Sequence, residues 1–409
     1  MDMYGWDSIS LVSMDRINRS LVDNSDGLLL AFDYSDDQCS IKGQFGPWQL
    51  VAGAEAPGVI WVDLPILEGE LELPMGDALT LEGVTVRVQI PLALMPASDG
   101  QGRELRFDFS TDTNAPGALA VRTIAVAGAQ LDPLVTSVLG DAVARCLTSS
   151  QDSISCVFAH VGAPAPSAFK WLVPDDCRWR QLQVSGQSFL VLFGVGAKAI
   201  DQLAPNLDQK AFTPLPDVAF YFAADRFMEG AVLPHMNANF YKGAKFSCRQ
   251  GIIKLARALN LPAYKYSWAY TARPKIESMD LRLVGSVLTV VSKGSTNAPM
   301  GITLSYTVTN KLPFHFDTNS KKVGFKPDHH PKVETHLSLP GLLDTILGWF
   351  VRWIGSFFTA QIQAPLAQIS KSLQTVSHPA PAVLAWRGVQ DFKLSDARLD
   401  GCFQMIQRA

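Results

Sequence analysis

An elongated α+β fold made of two similar halves is what this sequence predicts, and three observations carry the prediction. The stretch 340–376 reads as one very long amphipathic helix. Several segments alternate strictly between apolar and polar residues, the mark of antiparallel strands with one wet face. The order helix, meander, helix, strands also runs twice, with helix starts near residues 8 and 131 followed by starts near 217 and 340, an offset of about 209 positions in both pairs. The expected division is a first half at 1–202, a connection at 203–216 and a second half at 217–409 containing the long helix.

In the long stretch, Leu343, Ile346, Leu347, Phe350, Ile354, Phe357, Phe358 and Ile362 follow the three-and-four spacing of one helical face. Leu366, Ile369, Leu373 and Val376 continue it. The opposite face holds Asp344, Gly348, Arg352, Gly355, Thr359, Gln363 and Lys371, too few charges for a freely solvated helix. At about 1.5 Å per residue the element is roughly 55 Å long, so its covering layer must be elongated. Pro365 removes a backbone donor and should kink it. Residues 342–360 have the length of a membrane span, but Arg352 at the centre and Asp344 near the start each cost about 2.5–3.5 kcal/mol at mid-bilayer. The reading is a buried helix and no transmembrane span.

Taken in order, 8–22 reads as a short helix with Ile9, Val12, Ile17 and Leu21 on one side, closed by the turn at 23–27. At 84–94, Val84, Val86, Val88, Ile90, Leu92 and Leu94 alternate with Thr85, Arg87, Gln89, Pro91 and Ala93, and Leu105, Phe107 and Phe109 repeat the pattern. Asp132 before Pro133 caps a helix over 131–147. Strands are expected at 153–161, 179–184 and 188–195. In the second half, 217–233 reads as helix with Phe220, Phe227 and Val232 apolar. Strands follow at Met279, Leu281 and Leu283 and at 301–310, where Ile302, Leu304, Tyr306 and Val308 alternate with hydroxyl residues. After the long helix, terminal strands hold Trp386, Phe392, Leu394, Phe403 and Met405 as core candidates.

A hydrophobic content of 47%, a mean hydropathy of +0.11 and only 18% charged residues leave more apolar surface than folding alone requires. Net charge near −3 gives no whole-chain attraction to nucleic acid. The six dispersed cysteines read as reduced thiols. The N-terminus has no basic region followed by an apolar run, which points to the cytoplasm or to release without a classical signal peptide.

Tyr4, Gly5, Trp6 and Asp7, followed by a segment containing Asn18, together with Trp386, Arg387 and Gly388 and then Phe392, Leu394, Leu399 and Phe403, resemble the opening and closing segments of the "P forty-seven" proteins of clostridial neurotoxin gene clusters. That family, with its OrfX relatives, belongs to the tubular lipid-binding (TULIP) superfamily. The resemblance implies a strongly curved antiparallel sheet wrapped around a long helix, with lipid tails lying between them. It implies no catalytic residues, and it implies partners among phospholipids, fatty acids and proteins of the same gene cluster.

No catalytic constellation stands out. Gly194, Gly196 and Ala199 form a GxGxxA after a strand, but Pro205, Pro214 and Pro216 leave room for two or three turns at most of the crossover helix that a dinucleotide site needs, so the glycines read as a turn. His329 and His330, with His315, His336 and Asp328, suggest a metal site only if a turn brings the adjacent pair together; solvated loop histidines are the plainer reading. No metal or other cofactor and no enzymatic activity are expected. Lys321, Lys322 and Lys326, with Lys311 and Lys332, make a locally basic region that is either a headgroup or membrane-surface contact or a solvated hairpin. Two functions follow: binding of lipid-like amphiphiles along Leu343 to Ile362, or a structural, protein-binding accessory role with a filled core.

Overall fold

Among the described residues of the computed structural model, three large antiparallel sheets and a two-stranded ribbon, Tyr264–Ser267 with Tyr270–Ala272, make up the architecture, and one large sheet is shared by strands from the start, middle and end of the chain. The structure describes residues 1–53, 57–74, 78–98, 100–109, 118–126, 131–162, 171–196, 200–267, 270–297, 301–336, 348, 384–389 and 392–408. The predicted long helix therefore lies outside the described residues, apart from Gly348, which is helical.

The shared sheet has six strands in the order Asp176–Val184, Gln187–Val195, Ser8–Ser13, Val218–Ala223, Cys402–Gln407 and Asp396–Leu399. The order reads alike from either edge: an outer and an inner hairpin strand, then a strand that runs directly into a helix. The two helix-leading strands meet at the middle, where Ser10 pairs with Phe220. The hairpin 176–195 closes through Ser185 and Gly186, both at positive φ, the two-residue turn whose twist matches the strands it joins.

Both faces of this sheet are covered. Ile9, Leu11, Phe189, Phe193 and Tyr221 face a smaller core sealed by Met1, Met3, Trp6 and Phe212. Val12, Leu190, Leu192, Phe220 and Phe403 face the main core. This burial on two sides corrects two helix expectations. Residues 8–13 are a strand, with the helix Met14–Asp23 starting only after Ser13, whose side chain accepts from the Arg16 N–H as N-cap. Residues 218–223 are likewise a strand, so Phe220 is a sheet residue, and Phe227 and Val232 belong to the helical run that begins at Ala224. A strand buried on both faces loses its polar alternation and cannot be told from a buried helix by periodicity.

The first large sheet follows the order Ala31–Ser35, Ser40–Phe45, Val59–Glu72, Val84–Pro96, Arg103–Phe107, Val157–Val161 and Leu384–Trp386, with Gln49–Val51, Leu79–Thr80 and Ala120–Val126 paired beside it. Its alternation is as expected at Val84, Val86 and Val88, and across the other face Arg87 forks onto Asp63 at 2.6 and 2.8 Å. Gln89 departs from the wet-face reading: it is buried and hydrogen-bonded to the Ala118 carbonyl and to Arg122. The helix Pro133–Ser149, capped by Asp132 as predicted, buries Leu139, Val143, Cys146 and Leu147 against this sheet. The expected strand at 153–161 begins only at Val157, because Gln151–Ser153 is a 3₁₀ turn.

The second large sheet runs Phe246–Arg249, Ile252–Leu255, Lys275–Val284, Val287–Asn297, Thr303–Asp317 and Lys322–Phe325, with Leu259–Asn260 and Lys332–Thr335 beside it. Leu304, Tyr306 and Val308 point inward as their alternation requires. The helical run Ala224–Asn239 packs Phe227, Met228, Val232 and Met236 into the core, and its middle turn, Met228–Val232, is π-wound. There the Trp171 indole lies against Gly230, where a Cβ would come within 2.2 Å of the ring.

Candidate ligand site

The eight helix residues Leu343, Ile346, Leu347, Phe350, Ile354, Phe357, Phe358 and Ile362 lie outside the described residues. Three neighbourhoods among the described residues bear on ligand binding.

One is an apolar crevice on the main-core face of the shared sheet, walled by Leu192, Phe220, Phe222, Val161, Leu172 and Leu384, with Ser8 and Ser10 as polar points. Strand alternation puts these side chains on one face because Ser10, Leu192 and Phe220 are register partners. The Ser10 hydroxyl is already held by the Trp386 indole N–H. The crevice contains ≈ 410 Å³ of space between atoms, but only ≈ 20 Å³ is open to the centre of a water molecule, room for about one water. Cys177 at its edge is buried, and desolvation pushes its thiol up to about 11, so it is neutral at physiological pH.

The second neighbourhood lies on the alternating rows of the strands Val287–Asn297 and Thr303–Asp317. On the inner face of the second large sheet, Ser292 and Asn310 are fully buried among Leu288, Val290, Val308 and Leu312. Val290 is the register partner of Asn310 and Val308 that of Ser292, so the two polar side chains are diagonal neighbours. Among the described residues, neither amide atom of Asn310 nor the Ser292 hydroxyl has a hydrogen-bond partner. The sequence signal was present: Asn310 is the one amide in the inward row Leu304, Tyr306, Val308, Asn310, Leu312.

The third is the lysine hairpin. Lys321 sits in its turn at φ 55, with its ammonium 6.0 Å from the Phe316 ring centroid, and Lys322 opens the returning strand. Lys326 is exposed and its backbone N–H donates to the Pro313 carbonyl. The Ser320 hydroxyl, together with the Asn319 and Ser320 N–H groups, holds the turn residue Asp317 below the usual carboxylate range. The histidines do not converge: Asp328 accepts from the Lys311 and His330 backbone N–H groups, and no group of three or more metal-ligating side chains occurs among the described residues. Gly194 lies within an antiparallel strand between Ser8 and Cys177, and the Gly196 N–H donates to the Asp7 carboxylate at 2.6 Å; the rest of the GxGxxA, 197–199, lies outside the described residues.

The residues that carry the family resemblance are seam residues. Tyr4 and Gly5 turn at positive φ, which drops the fully buried Trp6 under the shared sheet, where its indole donates to the Ala204 carbonyl at 2.9 Å. Asn18 exchanges two hydrogen bonds with the Leu50 backbone at 2.8 and 3.0 Å. Gly388, at φ 77, lets the chain pass Ser20 and presents its carbonyl to Arg16 Nε at 2.8 Å.

Among the described residues no helix is long and apolar enough to cross a membrane. No curated protein matches the chain significantly. Two solved structures match along its length: P47 from Clostridium botulinum A2, with TM-score 0.78, 18% identity and 100% and 98% of the two chains covered, and P47 of Clostridium botulinum E1, with TM-score 0.75, 18% identity and 99% of each chain covered. The family described as OrfX-like, Protein OrfX2/OrfX3/P47, matches residues 3–356, and the chain belongs to that family.

Proposed function

We propose that the protein binds lipid-like amphiphiles without catalysis, holding acyl chains between the sheets and the apolar face Leu343 to Ile362 in the manner of the tubular lipid-binding superfamily. The observation that carries the reading is the unpartnered pair Asn310 and Ser292 inside an otherwise apolar sheet interior. Leaving a buried polar group without a hydrogen bond costs about 1–3 kcal/mol; an amphiphile's ester carbonyl accepts from the Asn310 amide N–H or the Ser292 hydroxyl, and a protonated carboxyl group also donates to the Asn310 amide oxygen, while the tail meets the surrounding aliphatic side chains. Lys321, Lys322 and Lys326 are the proposed contacts to an anionic headgroup or membrane surface. Organic extraction of the purified protein followed by lipid mass spectrometry should recover a fatty acid or phospholipid, and Asn310→Leu should lower its occupancy. Protein free of lipid that takes up neither a fluorescent fatty acid nor a phospholipid would overturn the proposal.

A second reading has its own observation. The crevice beside Phe220 and Phe222 admits little more than one water, as in a filled core, which suits an accessory subunit that binds other proteins of a toxin-type gene cluster. On that reading Asn310→Leu stabilises the protein, because an apolar side chain of similar size replaces a buried amide without a partner.

A further inference from the structure

A polar cleft with a lining separate from that of the apolar crevice lies where the helix Met14–Asp23, the residue preceding the strand Val218–Ala223 and the C-terminal strands meet. Its walls hold four cations, Arg16, Arg19, Lys393 and Arg408, against two carboxylates, Asp23 and Asp217, and it encloses ≈ 670 Å³. Arg16 is structurally committed: its Nη1 lies 2.7 Å from Asp217, and its Nε donates to Gly388. Asp217, 3% exposed, also accepts from the Ser13 hydroxyl, and Arg16 is the closer of its two ion-pair partners.

The remaining cations are in surplus. Arg19 is 3.6 Å from Asp217, and its side chain is 62% exposed toward the cleft. Arg408 shares the single carboxylate of Asp396 with Arg398, at 3.1 and 2.8 Å. Lys393 is exposed, with its backbone N–H fixed by Gln407 at 2.9 Å and, among the described residues, no carboxylate within ion-pair distance of its ammonium. Two guanidinium forks and an ammonium around one concavity match the oxygens of a phosphate group, and the cleft's volume is that of a small-ligand site.

We propose that this cleft binds a phosphate-bearing anion, held by Arg19, Lys393 and Arg408 and positioned by the Arg16–Asp217 pair behind them. The proposal stands independently of lipid-tail binding. The phosphate belongs either to a soluble phosphate ester or to a phospholipid headgroup, and two probes separate these sources: calorimetric titration with inorganic pyrophosphate, and flotation with phosphatidylcholine vesicles with and without phosphatidic acid. At low salt the full chain should bind pyrophosphate, the phosphatidic acid vesicles, or both. With two charge-assisted contacts removed, Arg19→Gln with Lys393→Gln should weaken binding at least about tenfold, whereas Lys393→Arg retains it. Lys321→Gln with Lys326→Gln should leave pyrophosphate binding unchanged. Should the double variant melt early, Lys393→Gln alone, altering an exposed side chain, carries the same test. Binding of neither probe, or equal binding by wild type and the charge-removing variants, would overturn the proposal, while recovery of a co-purified lipid would leave it untouched.

Discussion

At the scale of single residues, Asp217 does more than its sequence position suggests. It is buried at the central seam, and its two oxygens hold Ser13 together with Arg16 and Arg19 on the first two turns of the helix that follows. Removing one member of a buried pair costs about 3–5 kcal/mol, because the partner is left uncompensated. Asp217→Ala should therefore lower the urea midpoint of unfolding by an amount of that order, and Asp217→Asn, which keeps the hydrogen bond from Ser13, by less. An unchanged midpoint would mean that the seam does not depend on this carboxylate. In the sequence Asp217 is a polar residue after Pro216 and was legible only as a helix start; its partners are some two hundred positions away.

At the scale of elements, legibility followed the environment of each face. The helix Pro133–Ser149 was readable because one face is wet and Asp132–Pro133 marks its start. Strands with alternating faces, such as Val84–Pro96 and Thr303–Asp317, were readable for the same reason. The strands Ser8–Ser13 and Val218–Ala223 were not, because both of their faces are buried and their neighbours are contributed by distant segments. The candidate site divides the same way: the inward row containing Asn310 could be read from alternation, whereas the cleft around Arg19 and Lys393 exists only once the chain ends meet. The docking of the first helix depends on Asn18, whose amide replaces a sheet partner for Leu50. Asn18→Ala leaves the Leu50 N–H and carbonyl unmatched and should destabilise by about 1–3 kcal/mol, measured as a shift in denaturation midpoint, whereas exposed Asp15→Ala on the same helix should change little.

At the scale of the whole molecule, the buried thiols set an alkaline limit. Desolvation pushes Cys156 and Cys177 up from about 9 to about 11 and Cys402 to about 12. A raised folded-state value means that folding favours the neutral thiol. The resulting stabilisation is fully present below about pH 9, where the unfolded chain's thiols are also protonated, and is lost as pH rises toward the folded values. Burial raises Tyr221 and Tyr306 in the same direction. Urea midpoints should hold level from pH 7 to about 8.5 and fall steeply above it, and Cys156→Ala should flatten part of that slope. A stability that rises between pH 9 and 11 would contradict this assignment.

The shared sheet also bears on the order in which the chain acquires its structure during synthesis. The Met1 ammonium lies 2.8 Å from the Asp400 carbonyl, 399 positions away, and the strand Val218–Ala223 receives its second neighbour only from Cys402–Gln407. The outer sheets draw mainly on sequence-adjacent hairpins and are able to form as they leave the ribosome, whereas pairing across such separations is slow and waits for every participant. Ile9 and Leu11 thus wait for their neighbours at 187–195 and 218–223, and the apolar row Val218 to Phe222 waits for 402–407, with open strand edges beside them until then. The segment that shields the row Val218 to Phe222, residues 402–407, leaves the ribosome long after that row does, which makes it the latch that closes the central sheet.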